Sequence, residues 1–401
     1  MSTVVTQPGQ HGLVAHSDGP VVPIQTRNER PASFDAEDFG VPTGREVNWR
    51  FSPRDRLAPL FDATATDDQP GNPAVDFQID APEGVLGRSL GRGDSPRGEV
   101  FLPEDVTSAH AWSLCDEALY LAIPAGRELD DRVRVRMRGN GADRRSNAHI
   151  VIEARPNSKA TVVLLHEGSA QFTENVELIV REGAHLTVVA VQDWTDDAIH
   201  ASAHQARVDR DASLKHIVVS IGGGVVRLNP TVTLSGAGSS AELYGLSFAD
   251  AGQHLENQVF LHHEGPNTRG DVLYKGALQG ESARTVWIGD VLIGVGATGT
   301  NTYEANRNLV LTPGARADSI PNLEIETGQI NGAGHASATG RFDDEQLFYL
   351  TSRGITELEA RRLVVRGFLT EIVQKIDDVE LRERLEAAIE EELRGEGGTG
   401  S

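Results

Sequence analysis

The chain has 401 residues, 39% of them hydrophobic, and carries 59 Asp and Glu against 37 Lys and Arg for a formal charge of −22. That length and apolar content suit a soluble globular protein with a packed core, while the acidic balance argues against nucleic acid or an anionic membrane surface as partner, since both are held by clustered Lys and Arg. No run of about 18 apolar residues suggests a membrane span, the opening "MSTVVTQPGQHGLVAHSDGP" lacks a basic stretch leading into an apolar core, and a cytoplasmic location is expected.

Residues 1–27 are polar, spotted with Gly and Pro, and predict a disordered tail. The N-terminal helical region and linker is expected over 28–98. Its first part, "FDAEDFGVPTGREVNWRFSPRDRLAPLFD", places Leu57, Leu60 and Phe61 as the apolar set of a small helical cap. Its second part, from "TATDDQPGNPAVDF" to "GRGDSPRG", is rich in Asp, Gly and Pro and reads as a linker or insertion. Cys115, the only cysteine, excludes an internal disulfide and any all-cysteine metal cage from this chain alone. Its apolar neighbours in "AWSLCDEALYLAIP" predict a small core residue rather than a reactive thiol.

Over 99–342 the pattern changes to short β-branched runs closed by Gly, Asn, Asp and Ser, among them "RVRVRMRG", "ATVVLLHEG", "NVELIVREG" and "LKHIVVSIGGG". These are strands. Aligning "EGAHLTVVAV", "RDASLKHIVV", "GSSAELYGLS" and "NTRGDVLYKG" superimposes Ala184, Ala212, Ala241 and Gly270 at steps of about 28 or 29 residues. Units that short are too small for propeller blades and predict a β-solenoid, in which each coil buries its apolar face only against its neighbours.

The end of the chain, 343–395, reads as helical, with a flexible tail at 396–401. "FDDEQLFYLTSRG" offers Asp343 as N-cap with Gln346 three residues on and Gly354 as terminator, and Thr356 with Glu359 repeats the device. Leu363, Val364, Phe368, Ile372 and Ile376 recur at helical spacing and call for a packing partner. A further amphipathic helix, "VELRERLEAAIEEELRG", follows.

Several residues are candidates for chemistry. His335 stands alone among small residues in "GAGHASATG", where it is either a ligand or an ordinary turn histidine. His254, His262, His263 and Glu264 lie close in sequence, yet strand alternation sends His262 and His263 to opposite faces, so solvated turn residues are the expectation. Gly222 to Gly224 lack the Lys-Ser/Thr of a phosphate loop and read as a turn. Arg353 serves either a partner's carboxylate or phosphate, or the end of its own helix. Asp193, Asp196 and Asp197 are the nearest thing to the carboxylate set of a secreted-type β-helix polysaccharide lyase or hydrolase, a rival reading without a secretion signal to support it.

At "IPNLEIETGQINGAGHASATGRFDDEQLFYLTSRGITELEARRLVVRGF" the sequence resembles the SufB/SufD family of the SUF iron–sulfur cluster assembly system. The resemblance rests on Pro321 to Ile325, His335 to Gly340, Asp343 to Ile355 and Glu359 to Phe368, with "VPTGREVNWRFSP" matching nearer the start. SufB-like members carry a cysteine before the Pro-x-Leu-Glu-Ile strand and a His-Glu pair; here "NTYEANRNLVLTPGARADSIP" has no cysteine and His335 is followed by Ala336, so the chain resembles SufD. SufD-like members often have a cysteine two residues before the histidine, and this chain has Ala333 there.

The resemblance implies a mainly β protein with a right-handed parallel β-helix core, flanked by helical N-terminal and C-terminal segments. It further implies a non-catalytic scaffold subunit that pairs with a SufB-like subunit through the β-helix, with a homodimer when isolated. In the SufB–SufC2–SufD complex the ABC-type ATPase SufC docks on the C-terminal helices, for which Phe348, Tyr349, Arg353, Gly354, Arg361, Arg366 and Phe368 are the expected contacts. His335 is expected at the interface with the partner, where a transient iron–sulfur cluster is shared between the chains. A purely structural partner of SufB is the alternative.

Overall fold

The computed structural model describes residues 30–63, 66–67, 71–342 and 344–395; the tails expected at 1–27 and 396–401 and the Asp343 cap lie outside them. In chain order the elements are helix α1 (Arg54–Leu57), strands β1 (Val75–Asp80) and β2 (Leu86–Leu90), helix α2 (Val106–Leu114) and β3 (Ala118–Ile123). Two long strands follow, β4 (Val133–Ala154) and β5 (Lys159–Val180), then β6 (His185–Trp194), β7 (Ile199–Val208), β8 (Ser213–Ser220), β9 (Val225–Leu234) and β10 (Ser240–Ala249). The last strands are β11 (His254–His263), β12 (Arg269–Leu278), β13 (Arg284–Ile293), β14 (Asn301–Val310), β15 (Arg316–Ile325) and β16 (Gly332–Arg341). Helices α3 (Asp344–Thr351), α4 (Glu357–Val373) and α5 (Val379–Gly395) close the chain.

The strand order, β15-β13-β11-β9-β7-β5-β6-β8-β10-β12-β14-β16, describes a parallel β-helix. Each coil lays one strand on either of two facing sheets, and the long β5 spans both, pairing with β6 through its first half and β7 through its second. Alternate residues of every strand point inward and, apart from a few polar layers, form an apolar column that includes Val162, Leu164, Val188, Leu243 and Val272.

The repeat is real, with one slip. Ser213 pairs with both His185 and Ser240, and Ser240 with Arg269, so successive coils are unequal in length. Ala241 therefore pairs with Leu214, two residues beyond Ala212, although Ala241 and Gly270 do pair. A two-residue shift keeps every side chain on its face, which is why the alternation survives the misalignment. Gly222 and Gly224 mark a close backbone approach, since a Cβ at either would fall 2.2 Å from the carbonyl oxygen of Trp194 or Asp196.

The two sheets differ on their outer faces. Val163, Val189, Ile217 and Leu246 of the β6–β8–β10 sheet are apolar outward as well as inward, the composition of parallel strands buried on both sides. Helices α4 and α5 and the turn between them cover them with Val365, Leu369, Ile372, Ile376, Leu385 and Ile389. Ile372 and Ile376 are buried as expected, but Val365 and Leu369 take the places expected of Leu363 and Val364, and Leu363 is 53% exposed. Gly354 ends α3 with φ of +87°, and Thr356 Oγ1 accepts from the Glu359 backbone N–H at 3.3 Å, as the spacing predicts.

The other sheet is covered by the described residues between 30 and 114, through an apolar patch in which Trp49, Leu57, Leu60, Phe61 and Val106 meet Ala201 and Val225, and through buried polar groups. Arg227 Nη1 lies 2.7 Å from Asp105 Oδ2, its Nε 3.3 Å from Glu256 Oε1, and its guanidinium 3.9 Å from the centre of the Trp49 ring. Asp105 also accepts from the Ser108 backbone N–H at 2.9 Å, capping α2. Glu177 accepts from the backbone N–H groups of Gly98 and Val100 at 2.8 and 2.7 Å. The segment expected as a linker instead supplies β1, antiparallel to β4, and β2, antiparallel to β3, while α2 stands where only strands were expected.

The ends of the β-helix consequently differ. Its first coil is bordered by β1 and β2; at the last coil, β15 and β16 have no partner on their outer sides among the described residues. The Arg227 network generates a stability test. Burial raises the Glu256 carboxyl, but His254 and Arg227 hold it down to about 2 from an ordinary 4.5, so its contribution is complete above that ordinary value and fades as pH falls toward 2. Arg227→Ala, which leaves Asp105 and Glu256 buried without their cation, should cost about 3–5 kcal/mol in chemical denaturation at neutral pH, with the deficit shrinking in acid. A loss under about 1 kcal/mol would show the network to be dispensable.

Candidate functional site at the open coil

His335 sits in the middle of β16, in register with Glu304 of β14, and both side chains point into the β-helix interior. Because no further coil stacks on β16, the imidazole is 44% exposed while the Glu304 carboxyl directly beneath it is 1% exposed. His335 Nδ1 and Glu304 Oε1 are 3.7 Å apart, too far for a hydrogen bond, and neither Glu304 oxygen has a hydrogen-bond partner. Burial, with the Asp290 charge adding to it, pushes the Glu304 carboxyl up to about 8, so at neutral pH it is mostly a neutral acid.

The space for it is made by Gly289, where a Cβ would fall 2.5 Å from Glu304 Oε2 and 2.3 Å from the Trp287 ring. Beside His335, Ser337 Oγ donates to Ser319 Oγ of β15 at 2.7 Å, and Asn308 Nδ2 donates to Thr339 Oγ1 at 3.3 Å. The layers around His335 are therefore polar, while Ala317, Leu323 and Ala333 of the same coil still pack on the apolar core. Glu304 escaped the sequence reading; the signal available for it was its inward parity with Thr302, Asn306 and Asn308.

A half-exposed imidazole at an open coil is a borderline ligand suited to iron or zinc. Cluster ligation needs thiolate as well, and Cys115 does not supply it: it lies at the end of α2, half-buried, with Sγ donating to the Glu117 carbonyl at 3.2 Å and its thiol pushed up by burial. Any thiolate near His335 must come from another chain.

The C-terminal candidates divide into two groups. Phe348 and Tyr349 of α3 are 74% and 56% exposed, and the Arg353 guanidinium lies 4.8 Å from the Tyr349 ring centre, with Gly354 exposed next to it. Arg361 is tied to Glu357 at 2.8 Å, Arg366 to Glu386 at 3.3 Å and Glu390 at 3.7 Å. Phe368 is half-buried on the sheet side of α4, where Lys275 Nζ sits 4.7 Å from its ring centre and donates to its carbonyl at 2.7 Å.

The other candidates are occupied within the chain. His263 is buried with Nδ1 2.9 Å from Thr268 Oγ1, His254 is buried with Nε2 2.9 Å from Glu256 Oε2, and only His262 is partly open, 3.5 Å from Glu264. These are strand residues of β11, and the solvated-turn expectation fails for His254 and His263. Asp193 pairs with Arg384 of α5 at 2.7 Å, Asp196 accepts from Gln253 at 2.7 Å and Asp197 from Thr195 at 2.7 Å, so the three carboxylates serve separate contacts.

Comparison with known proteins adds to this geometry. The profile described as SUF system FeS cluster assembly, SufBD core domain, matches residues 137–368, which take in the β-helix and His335. An iron–sulfur cluster assembly SufBD family protein of Mycobacterium tuberculosis H37Rv is 48% identical over 388 residues, covering 95% of this chain and 96% of that protein. A Mycobacterium leprae protein of the same description is 50% identical over 370 residues, 90% of this chain and 93% of its own length. The same M. tuberculosis strain has a second SufBD family protein, 30% identical over 223 residues that make up 56% of this chain and 26% of that protein. With its parallel β-helix and a match along nearly its whole length, the chain belongs to the SufBD family of iron–sulfur cluster assembly proteins.

Proposed function

We propose that the chain is a SufD-like scaffold subunit, without turnover of its own, of a SufB–SufC2–SufD type of complex in the cytoplasm. It joins a SufB-like subunit end to end through its last coil, docks a SufC-like ABC ATPase on its C-terminal helices, and presents His335 to a nascent iron–sulfur cluster that is cargo shared with the partner. The open coil carries this reading. Its strands β15 and β16 offer unpaired backbone groups, a surface that proteins otherwise cover or blunt, and the single imidazole at that surface has no thiolate of its own. A ligand set of one imidazole from this chain and thiolate from the other is mixed and suited to release. A second SufBD family protein in the genome of a relative supports a paralogous partner. The same edges would pair two copies of this chain when it is isolated.

Three outcomes test the reading. His335→Ala trims an exposed side chain and should alter stability by no more than about 0.5 kcal/mol, while iron and acid-labile sulfide on the assembled complex fall sharply; His262→Ala should behave as wild type. Cluster accumulation at the wild-type rate would reduce this subunit to structural support for its partner. Truncation before α3 would strip α4 and α5 from the apolar sheet they cover, so docking is better tested with Phe348→Ala and Tyr349→Ala together. That pair should weaken ATPase binding in pull-down by about tenfold or more, the scale of interface hot spots, with no change in melting temperature. Unchanged binding would move the docking surface elsewhere.

The third outcome concerns Glu304 in the isolated chain. Between the ordinary carboxyl value of 4.5 and about 8, the folded chain holds a proton that the unfolded chain has lost, so stability falls as pH rises through that window by up to about 1.4 kcal/mol per unit. Glu304→Gln should flatten this stretch of the pH–stability curve. An unchanged slope would mean that the carboxyl is solvated in solution.

A further inference from the structure

Near the opposite end of the β-helix the interior holds a second set of donors. His166 and Glu174 of β5, His200 and His204 of β7 and His216 of β8 are each no more than 1% exposed. The coils on either side are apolar in register: Ala148 pairs with Glu174 on one side, and Val226 and Leu228 with His200 and Ser202 on the other. Phe172 stacks on the His200 ring with centroids 5.2 Å apart.

Glu174 Oε2 lies 3.2 Å from His166 Nε2, and 3.8 Å from each of His200 Nε2 and His204 Nε2. Donors held about 2.0–2.1 Å from a tetrahedral ion are roughly 3.4 Å from one another, and the donor atoms of His166, Glu174 and His200 all lie within 4.8 Å of one another, a spacing suited to a common centre. Ser202 Oγ donates to the same carboxylate oxygen at 2.9 Å and fixes its direction.

The nitrogens are less well provided for. His204 Nδ1 is 2.9 Å from His216 Nε2, which leaves His204 Nε2 without a hydrogen-bond partner, and neither ring nitrogen of His200 has one. His166 Nδ1 lies between an acceptor, the Val191 carbonyl at 3.0 Å, and a donor, Gln192 Nε2 at 3.1 Å. When Nδ1–H donates to the carbonyl, Nε2 turns a lone pair toward Glu174, the orientation that ligating histidines take from a backbone oxygen. Buried polar atoms seldom go without partners, and a cation between the carboxylate and the unpartnered His200 nitrogens would satisfy both.

We propose that this cluster is a structural site for one divalent first-row transition-metal ion of the zinc or ferrous class, held by His166, Glu174 and His200. Two or three imidazoles and one carboxylate are the donors such ions take. The ion would tie β5 to β7 across the interior and stiffen the coils that carry α2 outside. This site lies several coils from His335 and does not depend on the scaffold reading.

The test uses the full-length chain produced in medium supplemented with zinc or with cobalt, then dialysed against metal-free buffer. One equivalent of zinc by elemental analysis and the strong visible bands of low-coordinate Co(II) with nitrogen and oxygen ligands are expected. Chelator treatment should lower the melting temperature. Glu174→Gln and His200→Gln should each weaken binding by about tenfold or more, and His262→Ala should not. Should neither variant fold, the wild-type cobalt spectrum decides: nitrogen and oxygen ligation supports the site, and sulfur charge-transfer bands, which implicate Cys115, overturn it. Wild-type protein with no metal above the chelator-treated control, or variants that keep a full equivalent, also overturns it.

Discussion

Parallel strands find backbone partners only in the coils before and behind them, and this requirement governs the whole molecule. Every coil of the β-helix is satisfied by its neighbours, so the difficulty is displaced to the two ends, where one row of N–H and C=O groups per sheet is left over. At the first end the chain turns back on itself, and β1 and β2 run antiparallel along β4 and β3. At the last end the chain leaves β16 directly for α3. The asymmetry between a bordered end and an open one puts His335, alone among the inward-facing histidines, within reach of solvent.

The same stacking sorts the interior into layers. A residue facing inward has for neighbours the equivalent residues of adjacent coils, so a polar side chain is tolerated only where its layer supplies partners. Leu243 and Val272 separate two such polar layers, one at His216 and one at Glu304, in a single column of paired residues that ends at His335. A carboxyl such as Glu304, given no donor by its layer, responds by holding its proton. A carboxylate such as Glu174, surrounded by imidazoles and a hydroxyl, stays well below the ordinary value despite its burial.

What was legible in the sequence follows from these rules. Runs such as "ATVVLLHEG" declare themselves as strands because both faces are buried and β-branched residues fill them. The coil length was legible too, but not the unequal coils, because a slip of two residues from Ala212 to Ala241 leaves parity unchanged. Strand β1 was hidden: Val75, Phe77 and Ile79 alternate with Asp76, Gln78 and Asp80, but the run is short, lies among Asp, Gly and Pro, and buries only Val75. Helix α2 was hidden for the opposite reason, since Val106 to Ala111 are all buried and no polar stripe sets the period. His200 and His204, four apart on a strand, share one face by simple alternation, yet a pair of histidines within "HASAHQ" looks like polar filler until β5 brings Glu174 beside them.

The C-terminal helices face competing demands. Their apolar residues from Val365 to Leu393 are spent on the outer face of the β6–β8–β10 sheet, and Arg384, Lys275 and Lys375 lock them there through Asp193, Glu371 and Tyr244. A partner therefore cannot use that face without unseating the helices from a surface that would then be apolar and bare. What remains for recognition is α3 and the outward side of α4, where Phe348, Tyr349 and Leu363 stand more than half exposed. Aromatic anchors beside an arginine are the residue types that dominate interface energetics, and Gly354, with its positive φ, ends α3 and turns the chain toward α4. Helix α4 is thus closed against a rigid sheet on one side and open on the other, so its outward residues are held in fixed positions.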